Sequence, residues 1–379
     1  MKFRVERDVL AEAVAWTARS LPSRPPVPVL AGLLVEAESS QAAGVRLSGF
    51  DYEVSARAEI DADVNEPGRV LVSGRLLADI ARSLPARPVD VVTEGSKVVV
   101  TCGSTRFTLL TMPVDDYPTL PTMPTASGTV AGEVFASAVG QVAVAAGRDD
   151  TLPVLTGIRV EIDGEKLTLV ATDRYRLAAR ELTWAPEQAG LTAVALVPAR
   201  TLDGTAKALT AGDKVTVALA AGGQGEGLVG FEAGGRRTTT RLLEGEFPKY
   251  RTLFPKESTS VARLDTAPFL EAVKRVSLVA ERNTPVRLGF RGSECVLEAG
   301  TGEEAQASEA IDARLDGDDI SIAFNPSFLL DGLSAIDAPV ARLAFTIPTK
   351  PAVMTGCADM DADPETDYRY LIMPVRLSG

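Results

Sequence analysis

Three carboxylates alternate along Asp359-Met360-Asp361-Ala362-Asp363. Such a set opens a calcium loop, and it also resembles the metal-binding carboxylates of a nucleotidyltransferase. A calcium loop needs its turn glycine next, and Pro364 stands there. A transferase needs its carboxylates on a rigid element, and this stretch reads as loop. Gly225-Glu226-Gly227-Leu228-Val229-Gly230 has the G-x-G-x-x-G spacing of a dinucleotide site. That chemistry requires a strand before the glycines and a helix after them. Phe231–Leu243 alternates and is rich in Thr and Arg, so it reads as strand and the glycines as a hairpin loop. The chain has no histidine, which removes Ser-His-Asp and Cys-His nucleophiles, His general bases and His-based metal sites. Cys102, Cys295 and Cys357 fall one in each third of the chain with no Cys-x-x-Cys. They read as reduced thiols, with no structural zinc site. Neither a metal nor a cofactor is expected. Carboxylate-only nucleic-acid chemistry on Asp361 and Asp363 stays as the alternative from another class.

The elements that would position any site repeat three times. Leu10, Ala13, Val14, Thr17, Ala18 and Leu21 mark one face of a helix. Phe135, Ala138, Val139, Val142, Ala143 and Ala146 repeat the spacing, as do Phe269, Ala272, Val273, Val276, Ser277 and Ala280. A shorter stripe follows each: Leu77, Ile80, Ala81, Leu84; Leu202, Thr205, Ala206, Leu209; Leu329, Gly332, Leu333, Ile336. Dividing 379 residues by three gives about 126, enough for each unit to bury its own core. Each unit reads as α+β, with two helices and about eight strands. In the first, strands are expected at Met1–Val5, Leu30–Ala37, Val45–Phe50, Val54–Ile60, Arg69–Val72, Val89–Thr93, Lys97–Cys102 and Arg106–Thr111. Helices are expected at Asp8–Leu21 and Arg75–Leu84, the second N-capped by Ser73. Pro28-Val29-Leu30 answers to Pro153-Val154-Leu155 and Pro285-Val286-Arg287. Pro118–Gly128 and Pro248–Ser258 read as linkers. The acidic Cys357–Asp367 reads as a mobile surface loop.

At 45% hydrophobic and 24% charged residues, the composition is that of a soluble globular protein. No leader and no run of about 18 apolar residues is seen, so a membrane reading has no support. The net charge of −12 gives an outer surface that repels DNA. Yet Arg7, Arg19, Arg24, Arg75, Arg82, Arg148, Arg200, Lys207, Lys274, Arg275 and Arg282 lie on the helices or just beyond their ends. Singly, each reads as part of a solvated helix face; the excess is informative because it recurs in every unit. The C-terminal Tyr370–Leu377 reads as a closing strand whose Met and Pro give an adaptable apolar surface for short peptides.

Thr172-Asp173-Arg174-Tyr175-Arg176-Leu177-Ala178, Glu246-Phe247-Pro248-Lys249-Tyr250-Arg251, Phe324-Asn325-Pro326 and Met373-Pro374-Val375-Arg376-Leu377 resemble the bacterial DNA polymerase III beta subunit, the replicative sliding clamp. The resemblance spans the whole chain, and the Ala/Val/Gly/Arg-rich composition points to a high-GC bacterium. It implies three clamp domains, 1–125, 126–255 and 256–379, each with two helices packed on antiparallel sheets, and a head-to-tail homodimer ring of six domains. Twelve inner helices about 10 Å wide would leave a hole roughly 28 Å across. Double-stranded DNA would pass through it with phosphate contacts and no base readout. The family's role is non-catalytic and cytoplasmic. Its partners are the polymerase III catalytic subunit, the clamp loader, and other polymerases and repair proteins carrying clamp-binding peptides.

Carried over residue by residue, the peptide pocket comprises Leu155, Thr172, Arg174, Tyr175, Arg176, Leu177, Pro248, Leu253, Asn325, Phe328, Thr349, Pro351, Met373, Pro374, Val375 and Arg376. Arg176, Arg376 and Asn325 would fix ligand orientation in an apolar hollow. Arg24, Arg75, Arg148 and Arg200 would face DNA. Arg106, Phe107 and Leu109 would meet Ser277 and Leu278 at the ring joint. Thr252 departs from the basic residue often found there, and Pro348 and Pro351 stiffen a pocket-side segment. A specialised second clamp copy with an altered pocket is the nearby alternative.

Overall fold

The computed structural model describes residues 1–39, 44–210, 213–219, 227–281, 284–300 and 305–376. Gly225, Glu226, Arg282 and Leu377, named above, lie outside the described residues. Among those described, two helices and nine strands occur three times over. The helices are α1 (Arg7–Ala18), α2 (Gly74–Ser83), α3 (Gly132–Ala143), α4 (Ala199–Ala208), α5 (Thr266–Ser277) and α6 (Pro326–Ser334). They form where the apolar stripes predict them. Leu10, Val14, Phe135, Val139, Phe269 and Val273 are buried, and so are Leu77, Leu202 and Leu329 of the second stripe.

Several boundaries differ from expectation. The helix α1 stops at Ala18, and Leu21 reaches the core from a following turn, its N–H bonded to the Ala18 carbonyl. The strand expected from Leu30 begins at Gly32, because Pro28–Ala31 is a 3-10 turn; Pro153–Thr156 is another. Proline at the first position presets the turn. Pro285, in contrast, leads straight into the strand Val286–Arg291. Ser73 makes no side-chain cap; it is the last residue of the strand Gly68–Ser73. One strand of the first repeat that was not expected, Asp63–Glu66, pairs with Lys2–Val5. Its polar sequence has no apolar alternation to announce it.

The chain forms two compact units. The first comprises Met1–Phe135, Ala185–Ala189 and Gly204–Leu242 and holds one sheet of fourteen strands. In it Arg236–Thr240 of the second repeat pairs antiparallel with Val54–Ala58 of the first, and the Ser55 and Thr239 hydroxyls meet across the pairing. The helices α1 and α2 pack together, α1 lying over the strands Val45–Phe50 and Val54–Ile60. The strand Thr105–Met112 pairs with Lys97–Cys102, but it meets Gly68–Ser73 only at Thr111 and Met112. Its other edge therefore has no strand partner among the described residues over 105–110.

The second unit comprises Ala136–Trp184, Gly190–Asp203 and Leu243–Gly379. Its nine-stranded sheet runs in the order Thr192–Pro198, Gly157–Asp163, Lys166–Thr172, Arg176–Thr183, Tyr368–Ile372, Ala352–Cys357, Val340–Phe345, Ser260–Asp265 and Arg314–Gly317. The closing strand of the third repeat thus pairs with a strand of the second, Arg176↔Ile372 to Arg180↔Tyr368. A separate four-stranded sheet ends at Ala307–Asp312, a strand with no buried residue.

The helix α6 lies on the fully buried Tyr370 ring. A Cβ at Gly332 would stand 2.5 Å from Tyr370 Cε1. In a free helix Gly→Ala stabilises by about 1 kcal/mol; here overpacking costs about 1–3 kcal/mol and reverses the sign. Gly332→Ala is expected to speed amide hydrogen exchange in α6. Slower exchange would show that the close approach does not constrain the helix.

Candidate functional site

In the second unit the strand Arg176–Thr183 begins beside the end of Tyr368–Ile372. Beyond the Arg176↔Ile372 rung, the Met373 N–H donates to the Tyr175 carbonyl at 2.8 Å. The Val375 N–H then donates to the Ala323 carbonyl at 2.8 Å, so the terminal segment leaves the sheet. The loop before Arg176 is wound tightly. The Asp173 carboxylate accepts from the Tyr175 and Arg176 N–H groups, each at 3.0 Å. Thr172 Oγ1 donates to the Arg176 carbonyl at 2.7 Å. Arg174 sits at φ 80°, a conformation non-glycine residues rarely adopt and one that is frequent at functional loops.

This winding presents Tyr175, 56% exposed, with its ring stacked on Phe328 at 6.2 Å. The Arg176 guanidinium lies 4.3 Å from the centre of the same ring. Arg176 is buried and ion-paired with both Asp173 and Asp331. Burial works against its charge, but Tyr370, Asp331 and Asp173 outweigh it and hold the pKa above the usual arginine value. Phe328 is placed by its helix: the Asn325 side chain caps α6 by accepting from the Ser327 and Phe328 N–H groups at 3.0 and 3.3 Å. The Tyr370 hydroxyl donates to the Phe328 carbonyl at 2.8 Å. Beneath lies a core of Val170, Leu177, Ala179, Leu196, Phe247, Tyr250 and Leu371, flanked by Val154, Leu243 and Phe254. Tyr175, Leu253, Met373 and Val375 are exposed apolar side chains, the composition of a peptide-binding surface.

The residues expected at the pocket separate into groups. Thr172, Arg174, Tyr175, Arg176, Asn325, Phe328, Met373, Pro374, Val375 and Arg376 come together around this joint. Leu177 belongs to the core beneath. The rung Ala352↔Ile372 brings the turn carrying Thr349 and Pro351 to the Met373 end. Leu155 is half-buried, its carbonyl accepting from Gly147 N–H. Pro248 lines a groove with Arg159, Glu161, Lys249 and Arg251. Arg176, expected to orient ligand, is instead committed to Asp173, Asp331 and the Phe328 ring. Asp331 was missed because it lies 155 positions from Arg176, beyond any local pattern.

Elsewhere, Arg148 and Arg200 line one groove with Asp150 and Asp203. Arg24 is exposed, and exposed Arg75 donates to the Pro22 carbonyl at 3.2 Å. Arg106 pairs with Glu94, and Phe107 is half-buried. Leu109, expected at the ring joint, is 3% exposed and belongs to the first unit's core. The alternation of its strand turns Leu110 outward instead, at 70% exposure. Leu278 is 84% exposed, and the Ser277 hydroxyl bonds back to the Val273 carbonyl.

The tempting motifs sit in other settings. Gly227 enters the strand Leu228–Ala233, and a second strand, Arg236–Arg241, follows it. Asp361 pairs with Arg314, and Asp359 accepts from the Asp361 and Ala362 N–H groups. The loop expected to be mobile is tied further by Arg180–Asp367 and by Glu365 N–H to the Gly356 carbonyl. The three cysteines are free thiols and buried. No helix among the described residues is long and apolar enough to cross a membrane.

One acid fixes the segment that carries Leu253. Glu161, 9% exposed on the strand Gly157–Asp163, accepts from Arg159 at 2.6 Å, Tyr250 Oη at 3.0 Å and Arg251 at 2.5 Å. Burial raises its pKa, but these three donors together prevail and hold it below 4.5. Burial and then Glu161 push Tyr250 up to about 12. A depressed carboxylate pKa gives stability that is present above the unfolded value and lost as pH falls through the folded one. Glu161→Gln is expected to lower stability by about 1–3 kcal/mol at pH 7. The gap from the parent should close as pH drops below 4.5 in denaturant titrations; a gap independent of pH would remove the carboxylate from this role.

The chain matches the DNA polymerase III beta subunit profiles for the N-terminal domain over residues 1–121, the central domain over 129–249 and the C-terminal domain over 251–376. It is 67% identical to the beta sliding clamp of Streptomyces coelicolor over 379 residues, covering 100% of both chains. It is 52% identical to the beta sliding clamp homolog GriR of Streptomyces muensis, covering 99% of each. The crystal structure of a Pseudomonas aeruginosa sliding clamp bound to griselimycin superposes with a TM-score of 0.90 at 28% identity, covering 100% of both chains. One profile for each of its three repeats, and full-length identity of this order, place the chain in the DNA polymerase III beta subunit family.

Proposed function

We propose that this chain is a DNA sliding clamp, a ring-shaped, non-catalytic processivity subunit of DNA polymerase III that encircles duplex DNA without reading sequence. The observation that carries the reading is the family match in all three repeats. Its domains are 1–125, 126–255 and 256–379. The protein acts in the cytoplasm, at the nucleoid during replication.

Two copies close the ring head to tail. Among the described residues the antiparallel edge at 105–110 in the first unit is unpaired, and Ala307–Asp312 is an outer strand in the second; an edge of each kind on two copies can satisfy one another's backbone groups. Arg106 and Phe107 lie on the first edge. Leu278 follows α5, which Arg275 ties to Glu309 of the second. Arg24, Arg75, Arg148 and Arg200 contact phosphates in the bore, while the net charge of −12 keeps DNA off the outside. The site around Tyr175, Phe328 and Met373 takes short polar-then-apolar peptides from the polymerase III catalytic subunit, the clamp loader, other polymerases and repair proteins. Asn325 and Arg376 supply the polar groups at its rim.

Leu278→Asp is expected to convert the dimer to monomer in sedimentation velocity, because an exposed apolar contact becomes a buried charge at the joint. An unchanged dimer would place the interface elsewhere. The protein loaded onto a circular plasmid by a clamp loader is expected to stay bound and to fall off after a single cut. Equal retention on circle and line would mean ordinary surface binding and end the encircling reading.

A further inference from the structure

The nine-stranded sheet has a second face. Tyr370 and its rung partner Met354 turn toward α6, so alternate residues face away from that helix. There the strands Arg314–Gly317, Ser260–Asp265, Val340–Phe345 and Ala352–Cys357 place Arg314, Arg263, Arg342 and Thr355 side by side. The rungs are Arg263↔Arg314, Arg263↔Arg342 and Arg342↔Thr355. Residues opposite one another in antiparallel strands share a face, and neighbouring strands are about 4.8 Å apart.

The two ends of this row are satisfied differently. At one end Asp316 sits between Arg263, at 2.7 Å, and Arg314, at 3.7 Å, and Asp361 reaches Arg314 as well. At the other end Arg342 has no ion pair among the described residues, and its buried Nε has no hydrogen-bond acceptor. Nε of Arg263 is likewise unpaired among the described residues, while the rest of its guanidinium is engaged by Asp316 and the Cys357 thiol. The Thr355 side chain is 4% exposed with its Oγ1 unpartnered. Buried polar groups of this kind are paired in nearly all proteins, and three of them fall side by side here. Every one of them can donate, and two are cationic; the matching ligand is an anion with several acceptor lone pairs.

We propose that Arg342, Thr355 and Arg263 form an anion site that takes a carboxylate side chain from an acidic segment of a partner protein. Asp316 shows the chemistry in place: on its half of the row the chain supplies the carboxylate between two guanidiniums, and on the Arg342 half a partner supplies it. Burial and then the like charge of Arg263 press the Arg342 pKa below the usual arginine value, a condition that a bound carboxylate relieves. The site does not rest on the sliding-clamp reading and uses none of the residues around Phe328.

Fluorescence anisotropy of a labelled hexaglutamate peptide against the full chain tests it. Saturable binding is expected, weakened about tenfold or more by Arg342→Gln. Thr355→Val removes a buried unpaired hydroxyl at constant volume, so it should weaken binding while leaving the unfolding midpoint equal or higher. That pairing separates a ligand-binding role from a structural one. Binding indifferent to Arg342→Gln, or no saturable hexaglutamate binding, would overturn the proposal. So would preferential binding of oligothymidylate or inorganic phosphate lost on Arg342→Gln, by assigning the site to phosphate.

Discussion

The main-chain pairing of Arg176–Arg180 with Ile372–Tyr368 is the constraint on which the candidate site depends. Side chains alternate across a strand, so the register decides what each face receives. In the observed register Tyr370 turns toward α6 and bonds the Phe328 carbonyl, while Leu371 turns into the cluster with Leu177, Phe247 and Tyr250. A slip of one residue would exchange these faces. It would place Arg369, whose guanidinium lies 4.5 Å from the Phe254 ring, against the helix. The stacking of Tyr175 on Phe328 also follows from the register, because Tyr175 is held through its carbonyl by the Met373 N–H. Residues remote in sequence thus form one surface without a covalent link.

Both repeat junctions use the same solution. Arg236–Thr240 joins Val54–Ala58 in the first unit, and Arg176–Arg180 joins Tyr368–Ile372 in the second. Each junction covers a strand edge that would otherwise be open to other chains. The edge at residues 105–110, without a strand partner among the described residues, and the outer strand Ala307–Asp312 stand out against that background. The latter contains no buried residue.

The helices were legible because their information is local. A 3.6-residue apolar period needs no partner to be seen, and Leu77, Leu202 and Leu329 are buried where the stripes place them. The pairings that build the site are not local, and no pattern around Arg176 names Ile372 or Asp331. The family resemblance gathered the residues around Phe328, yet it could not say which of them stay free to meet a ligand. Arg176 is spent on two carboxylates and a ring. Capping shows a similar limit. Ser73 and Asn325 both precede a helix, but only Asn325 turns its side chain onto the first N–H groups. The strand Asp63–Glu66 has no apolar face to register, and the sequence leaves open which of Leu109 and Leu110 turns into the core.

Arg176 and Arg342 show what the fold does with a partly buried cation. Removing a guanidinium from water is unfavourable unless its donors find acceptors. For Arg176 the acceptors come from a tight loop and a helix of the next repeat, and the ion pairs do structural work: they press the guanidinium onto Phe328. Arg342 sits in the same sheet, but its rung neighbours are another arginine and a threonine. Neither offers it a carboxylate, and its outward pKa pressure has the opposite sign from that of Arg176. The difference lies in what the neighbouring strands supply, because the two side chains are chemically identical. The fold compensates buried Arg176 twice over and, three strands away, leaves half-buried Arg342 without an ion pair among the described residues. The uncompensated one is therefore placed to be completed from outside the chain.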